Sequence, residues 1–277
     1  MGEVAAERMR IASKCMAIAV SEAAHLDRTP EEFARTMGYG RSYESAAQFL
    51  QLHTHDWIQE LHQVFRELLE RDRAVLSIGS GECEHEIPFV LEGYDILSTD
   101  VVASATESQR LFPSLRFELF DALNPTPIGR FDDVLVGGLD FYFADPEFSR
   151  LLANIRSLLR PGGRLLFTLR YRDNLATWLI DRVGIPATCW LLRLAASVRG
   201  TGSRWTLKPH GYRRSIREVV DAASRHGFRL GRLRHAGFGV ELTRVQLDRI
   251  PALYRLARAI DRRLHIFNNA VVFEFLT

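Results

Sequence analysis

The chain has 277 residues, 47% of them hydrophobic, and a formal net charge of +2 at pH 7. This length and composition predict a globular protein that buries a full core in one large domain with appendages. Its arginines are scattered among acids, so no nucleic-acid partner is expected. Three widely spaced cysteines indicate reduced thiols, and neither a secretory leader nor a transmembrane run is evident. We therefore expect a cytoplasmic location.

Residues 1–70 are predicted to form an N-terminal helical cap. Apolar residues recur there at the 3.6-residue spacing of a helix, and no strand pattern is present. The clearest stripe comprises Trp57, Ile58, Leu61, Val64, Phe65, Leu68 and Leu69.

After Arg73 the periodicity changes, because short runs rich in β-forming residues alternate with helical stretches. This alternation is typical of a parallel α/β sheet covered by helices. Strands are predicted near 74–79, 95–100, 115–120, 131–136, 163–170, 229–237 and 270–277. Helices are predicted at about 84–92, 104–111, 146–160 and 215–227.

Two features frame the helix at 146–160. Asp145 and Pro146 predict its start, with the acid as N-cap and proline in the first turn. The sequence Arg160-Pro-Gly-Gly163 predicts its end, before a buried strand resumes.

Two further segments do not fit a minimal sheet. Residues 174–212 form an apolar and basic insertion, and residues 244–264 form a helix with apolar residues at helical spacing. Such stripes mark a lid or an interface, through which a homodimer could form, or they pack against the sheet edge in the ordinary way. The sequence leaves these alternatives open.

The segment from Ala74 to Glu82 indicates a ligand site, because a buried strand ends there at Gly79-Ser80-Gly81. Glycine permits sharp turns and close backbone approaches, and the following helix offers free N–H groups. A second strand ends in Asp100, about twenty residues beyond the glycines, where a ribose-binding acid is expected. We therefore predict a cofactor that contains adenosine.

Five sequence segments, taken in chain order, resemble the motifs of a class I S-adenosylmethionine-dependent methyltransferase over roughly residues 70–277. The resemblance implies a Rossmann-like, mostly parallel seven-stranded sheet with an antiparallel last strand, and S-adenosyl-L-methionine (SAM) as cofactor. The segments are Ser77-Ile-Gly79-Ser-Gly81, Asp100, Phe120-Asp121-Ala122, Phe131-Asp-Asp-Val-Leu-Val136 and Leu158-Leu-Arg-Pro-Gly-Gly163.

The resemblance also assigns cofactor-binding roles. Asp100 is similar to the family's ribose-binding acid, and Asp121 to the acid that meets the adenine amine. For each acid, a turn or a helix cap is the structural alternative. The full predicted set is Tyr43, Gly79, Ser80, Gly81, Asp100, Val101, Asp121, Ala122 and Gly138.

The glycine segment departs from the family pattern at two positions. Ser77 stands where the family usually has an acid, and Cys83 replaces the third glycine. The sequence Glu82-Cys-Glu-His-Glu86 brings three carboxylates to the start of a helix, where they could face the amino group or the sulfonium of the cofactor. No metal site is expected, because adjacent residues on a helix point in different directions. A dinucleotide is disfavoured, because these acids would repel a pyrophosphate.

Candidates for the acceptor side follow the fourth and fifth strands. Asp140, Tyr142 and Tyr171 are placed there, and His210 at the end of the insertion is the favoured base. An acceptor hydroxyl needs a base, whereas an amine needs only orientation. A surface histidine beside a helix cap at Ser215 is the alternative interpretation of His210.

The cap and the insertion are expected to cover the open end of the sheet and to enclose an apolar acceptor pocket. This favours in-line methyl transfer to an O or N atom of a small molecule, such as a natural product, a sugar or a lipid-linked metabolite. The alternatives are a methyltransferase acting on RNA or protein, and a non-catalytic protein that only binds the cofactor.

Overall fold

A computed structural model of the chain describes residues 29, 31–32, 39–53, 56–170, 190, 212, 214–238, 251–264 and 268–277. The helices are α1 Ala46–His53, α2 Asp56–Leu68, α3 Ile87–Leu91, α4 Thr106–Leu111, α5 Asp145–Leu158, α6 Ile216–Arg225 and α7 Pro251–Leu264. The strands are β1 Val75–Ile78, β2 Ile96–Asp100, β3 Arg116–Leu119, β4 Phe131–Val136, β5 Leu159–Arg170, β6 Arg229–Phe238 and β7 Asn268–Leu276.

Within the described residues, the strands form one seven-stranded sheet in the order β3-β2-β1-β4-β5-β7-β6. The neighbours from β3 to β5 pair in parallel, and β7 runs antiparallel to both β5 and β6. The predicted mostly parallel sheet with an antiparallel last strand is confirmed. Because the order reverses between β1 and β4, the carboxyl ends of these two strands flank a crevice where α/β proteins bind ligands.

The central strands are buried on both faces, as a doubly covered parallel sheet requires. In β4, Val134 and Val136 face one apolar cluster, which includes Phe148 and Leu151 of α5. The intervening Leu135 faces the opposite cluster, which α2 and Phe89 complete. A third cluster lies under the glycine segment and comprises Tyr43, Phe49, Cys83, Ile87, Ala105, Phe112 and Leu115.

Helix α5 differs from its prediction at both ends. It begins at Asp145 with Ala144 as the cap, and the Glu147 carboxylate accepts a hydrogen bond from the Ala144 N–H at 3.0 Å. It ends at Leu158 rather than at 160, because the chain enters β5 there and Leu159 pairs with Phe131. The register then shifts, so residues 160–163 form an irregularity inside β5 rather than a turn before it.

Helix α3 is shorter than the predicted 84–92. Cys83 has a φ of 63°, a left-handed conformation that no other non-glycine residue adopts in the part of the chain that the structure describes. The chain turns at this residue and continues in turns through residue 86, so α3 begins at Ile87, three residues later than predicted. The third glycine of the family pattern is thus absent, but the backbone keeps the conformation that glycine favours.

Parts of both extra segments lie outside the described residues. Of 174–212 the structure describes only Trp190 and Tyr212, and of 244–264 it describes α7, in which Leu256 and Ile260 are exposed. The boundaries proposed for the cap and the insertion therefore stay predictions. Among the described helices, none is long and apolar enough to cross a membrane.

Candidate functional site

The glycine segment makes a tight turn at the carboxyl end of β1. Gly79 and Gly81 have φ values of 73° and 54°, which favour glycine. The Gly79 and Ser80 N–H groups both donate to the Thr99 carbonyl, at 2.8 and 3.0 Å, so the turn is held against β2. The sequence therefore located the turn correctly.

Asp100 at the end of β2 reaches back to this turn. Its Oδ2 accepts from the Gly81 N–H at 2.9 Å, and its Oδ1 accepts from the Val102 N–H at 3.1 Å. Burial raises the pKa of Asp100, and these two hydrogen bonds act in the opposite direction. A carboxylate can accept about four hydrogen bonds, so Asp100 retains acceptor capacity for a hydroxyl donor. Val101 beside it is exposed.

Asp121 lies just beyond the end of β3. Its Oδ1 accepts from the Leu123 N–H and its Oδ2 from the Asn124 Nδ2, both at 2.8 Å. These are the contacts of the turn alternative, and each leaves further acceptor capacity on the carboxylate. The buried Ala122 accepts a hydrogen bond from Asn154 of α5 through its carbonyl, which fixes this turn to the helix layer.

The loop after β4 forms the other wall of the crevice. The Gly138 N–H donates to Thr168 Oγ1 of β5 at 2.7 Å. A Cβ at Gly137 or Gly138 would meet no atom within 4 Å, whereas a Cβ at Gly79 would lie 2.5 Å from the Leu139 side chain. The loop therefore packs tightly against the glycine turn on one side and faces open space on the other.

Two tyrosines from the segment before α1 reach the glycine turn. Tyr43 is buried, and its hydroxyl donates to Glu82 Oε2 at 2.8 Å. Tyr39, which the sequence reasoning missed, places its hydroxyl 2.9 Å from where a Gly81 Cβ would lie. Burial and the nearby charges of Glu82 and Glu84 raise the pKa of Tyr39. No local sequence pattern indicated this contact, because residues 39–45 form turns and irregular structure rather than a helix.

Glu82 and Glu84 meet His53 of α1 beside the turn. Glu82 accepts from the Gly40 N–H at 2.9 Å as well as from Tyr43, and burial raises its pKa. His53 places its two ring nitrogens 3.1 Å from Glu84 and 3.8 Å from Glu82. One ligand atom from each of the three residues lies within 4.8 Å of the others, close enough to hold a cation. The absence of a metal site, expected from the sequence, stays a prediction.

Glu86 lies below the turn, where β1 ends. It is 3% exposed, and its Oε1 accepts from the Ser77 hydroxyl at 2.6 Å. Burial is the main cause that raises its pKa to about 7. Ser77 thus occupies the position where the family usually has an acid, and its hydroxyl donates a hydrogen bond to the Glu86 carboxylate.

The catalytic candidates are placed only in part. Asp140 is fully buried in the 3-10 turn Asp140–Tyr142, and half-buried Tyr142 packs against Phe141. His210 and Tyr171 lie outside the described residues. The chain just after His210 is anchored to this turn, because the Tyr212 N–H donates to the Phe141 carbonyl at 2.9 Å.

Arg214 strengthens this anchor, and sequence reasoning did not identify it. Its Nη1 donates to the Asp140 carbonyl at 2.6 Å, and its Nη2 donates to Asp145 Oδ1 at 2.7 Å. The guanidinium also lies 4.2 Å from the centre of the Phe148 ring. The end of the insertion therefore meets the sheet at the carboxyl end of β4.

Sequence comparison gives a short match. No protein-family model matches the chain. A phthiotriol/phenolphthiotriol dimycocerosates methyltransferase 1 from Mycobacterium ulcerans (strain Agy99) is 42% identical over 76 residues. The match spans about a quarter of each protein, 27% of this chain and 27% of that relative.

Structure comparison covers most of the chain. The magnesium protoporphyrin IX methyltransferase of Synechocystis PCC 6803, with bound S-adenosylhomocysteine (SAH), has a TM-score of 0.53 at 13% identity over 90% of this chain and 94% of that one. The Burkholderia thailandensis 1,6-didemethyltoxoflavin-N1-methyltransferase, also with SAH, has a TM-score of 0.51 at 15% identity over 80% and 78%. The glycopeptide N-methyltransferase MtfA has a TM-score of 0.52 at 13% identity over 90% and 98%. The chain thus has the fold of class I SAM-dependent methyltransferases, as its sequence predicted.

Proposed function

We propose that the chain is a SAM-dependent methyltransferase that acts on an O or N atom of a small molecule. The observation that carries this proposal is the convergence of the glycine turn, Asp100 and the open face of Gly137 and Gly138 at the carboxyl ends of β1, β2 and β4. Ligands of α/β sheets bind at this place in the fold.

The residues fit an adenosine cofactor without a phosphate. Asp100 would accept hydrogen bonds from the ribose hydroxyls, and Asp121 would accept one from the adenine amine. Both carboxylates keep free acceptor capacity for these bonds. The open face beside Gly138 would admit the adenosine. The buried acids Glu82 and Glu86 favour a cationic ligand over a pyrophosphate.

SAM supplies a methyl carbon activated by a positive sulfur, so the protein mainly orients the acceptor and excludes water. The anchor of Tyr212 and Arg214 on the turn after β4 would bring the chain next to His210 to the same end of the sheet. We propose His210 as the base for a hydroxyl acceptor, with Tyr142 lining the acceptor side. Asp140 is the weaker candidate, because it is fully buried.

The relatives support a small acceptor. The similar proteins carry names that specify magnesium protoporphyrin IX, 1,6-didemethyltoxoflavin, a glycopeptide and phthiotriol/phenolphthiotriol dimycocerosates. These acceptors share no scaffold, so the comparisons favour small-molecule methylation without indicating which molecule this chain methylates. The cap and the insertion would determine that choice.

Calorimetric titration with SAM tests the cofactor assignment. Asp100→Ala should weaken SAM binding by about 1.5–3 kcal/mol, because it removes charge-assisted hydrogen bonds. Asp95→Ala is the matched control, because Asp95 is a half-exposed acid just before the same strand and pairs with Arg116. The control should bind like the unchanged protein. Equal SAM affinity in the Asp100 variant and the control would contradict the site, provided circular dichroism shows that both are folded.

Turnover separates an enzyme from a non-catalytic binder. Labelled methyl groups from SAM are followed into small-molecule extracts, total RNA and total protein. The proposal expects label in the small-molecule fraction. Label in RNA or protein alone would contradict the substrate class, and SAM binding without transfer to any fraction would favour a binding protein.

A further inference from the structure

Four carboxylates, here called the acid cluster, surround the glycine turn: Glu82, Glu84, Glu86 and Asp100. The charge of each raises the pKa of Tyr39, whose hydroxyl lies beside Gly81. The four negative charges therefore act on the same point, which is the turn where the cofactor is proposed to bind.

The members of the acid cluster differ in how many hydrogen bonds their carboxylate oxygens accept. Glu82 accepts from Tyr43 and the Gly40 N–H, and Asp100 accepts from two backbone N–H groups. Glu86 accepts from Ser77 through Oε1, but its Oε2 is buried and has no hydrogen-bond partner in the described part of the chain. A buried carboxylate oxygen without a donor is costly unless a ligand compensates it.

We propose that the acid cluster selects its ligand by positive charge, and that Glu86 distinguishes cationic SAM from the neutral thioether SAH. The inference rests on the proposed function, because it concerns the same cofactor. SAM and SAH differ by one methyl group and by the positive charge on sulfur. In the low dielectric around a buried carboxylate, that charge is worth far more than it is in water.

The residues around Glu86 are consistent with this role. Ser77 faces it from β1, Asp100 acts on it from β2, and Cys83 and Glu84 come from the turn itself. Apart from the N–H of Glu86 itself, only Ser77 among these groups gives the Glu86 side chain a hydrogen bond, and the two acids disfavour its ionisation. A cationic ligand would favour the ionised form of Glu86 and so offset the effect of the two acids, whereas a neutral ligand would not.

Calorimetry on three forms of the full chain tests the proposal with SAM and SAH as the probes. The unchanged protein should bind SAM more tightly than SAH. Glu86→Gln, which keeps the shape but removes the charge, should reduce the SAM/SAH affinity ratio about tenfold and change SAH affinity little. Glu118→Gln is the matched control, because it makes the same change at an exposed position of β3, and it should keep the original ratio.

The pH dependence of the unchanged protein gives a second readout that needs no variant. A cationic ligand binds best when Glu86 is ionised, so the SAM/SAH affinity ratio should rise from pH 6 to pH 8. His53 also faces the acid cluster, with its ring nitrogens 3.8 Å from Glu82 and 3.1 Å from Glu84. The Glu86→Gln variant isolates the contribution of Glu86, because it should show a flatter profile.

The outcomes separate the two proposals. A SAM/SAH ratio that is the same in Glu86→Gln as in the unchanged protein, or that does not change between pH 6 and pH 8, overturns the charge-selection proposal and leaves the cofactor assignment standing. If the unchanged protein binds neither SAM nor SAH, both proposals are wrong. A lower ratio in the variant with an unchanged ratio in Glu118→Gln supports charge selection by Glu86.

Discussion

The two ends of the sheet both bury carboxylates, but they satisfy them in different ways. At the amino end, Asp133 of β4 is fully buried and bonded by two arginines. At the carboxyl end, Glu86 and Asp100 are bonded by a hydroxyl and by backbone N–H groups. The same residue chemistry is thus internally neutralised at one end and left negative at the other.

The arginine contacts of Asp133 are bidentate. Arg164 donates to its two oxygens at 2.8 and 2.7 Å, and Arg73 donates to them at 3.0 and 3.1 Å. Hydrogen bonding to Asp133 is the main cause that raises the pKa of Arg164. This arrangement ties the start of β1 to β4 and β5, and it leaves the carboxylate little capacity for a ligand.

The difference distinguishes a structural acid from a candidate ligand-binding acid. Counting buried carboxylates would treat Asp133 and Glu86 alike. Their hydrogen-bond partners distinguish the two residues. Two arginines compensate the buried charge of Asp133, whereas one hydroxyl does not compensate that of Glu86. The negative end of the sheet is also the end where the glycine turn and the open loop after β4 lie.

The largest effect is expected at the neutralised end. Asp133→Asn would remove the buried carboxylate that Arg73 and Arg164 share, leaving Arg164 with Glu70 and Glu274, and should lower the free energy of unfolding by about 3–5 kcal/mol. Urea unfolding measures this change. Asp95→Asn, which breaks a half-exposed pair with Arg116, should cost no more than about 1 kcal/mol. Similar losses in the two variants would show that the arginine network is not structural.

A smaller, pH-dependent effect is expected at the negative end. The pKa of Glu86 is raised from 4.5 to about 7 in the folded protein, so the folded state holds a proton that the unfolded chain has released. The contribution of Glu86 to stability should therefore fall as pH rises from about 4.5 to about 7, by roughly 3 kcal/mol, and then stay constant.

Glu86→Gln should remove that part of the pH dependence. Urea unfolding of the ligand-free protein at pH 5 and pH 8 compares the variant with the unchanged chain. The variant should gain stability relative to the unchanged protein at pH 8 but not at pH 5. The same fall with pH in both proteins would contradict the burial of an uncompensated charge at Glu86.

The smallest effect concerns the shape of the glycine turn. Gly79→Ala forces a positive φ on alanine and brings its Cβ against Leu139, so it should cost about 1–3 kcal/mol. Gly93→Ala imposes a positive φ with no atom nearby, and should cost about 1 kcal/mol. Thermal unfolding compares the two. A cost at Gly79 no greater than at Gly93 would mean that the turn accommodates a side chain.

The sequence predicted the features that depend on local pattern. Strand periodicity predicted the strands of the sheet. The spacing of Gly79, Gly81 and Asp100 predicted the turn after β1 and the acid that contacts it. These features are predictable because glycines directly after a buried strand permit the positive-φ turn that other residues rarely adopt.

The missed features join residues that are far apart in the chain or depend on one unusual dihedral angle. No local pattern shows that Tyr39 reaches Gly81 or that Arg214 bonds the turn after β4. The late start of the helix predicted at 84–92 follows the turn at Cys83, whose positive φ is a conformation that non-glycine residues rarely adopt. Such contacts are determined by tertiary packing.

Thermal unfolding with SAM, SAH and NAD compared side by side shows whether the glycine turn binds a sulfonium cofactor. A ligand at about 100 times its dissociation constant adds roughly 2.7 kcal/mol of stability, which raises the midpoint by several degrees. We expect the unfolding midpoint to rise with SAM, to rise less with SAH at the same concentration, and not to rise with NAD. If the midpoint rises with NAD alone, or does not rise with any of the three ligands, the assignment of the glycine turn to a sulfonium cofactor is contradicted.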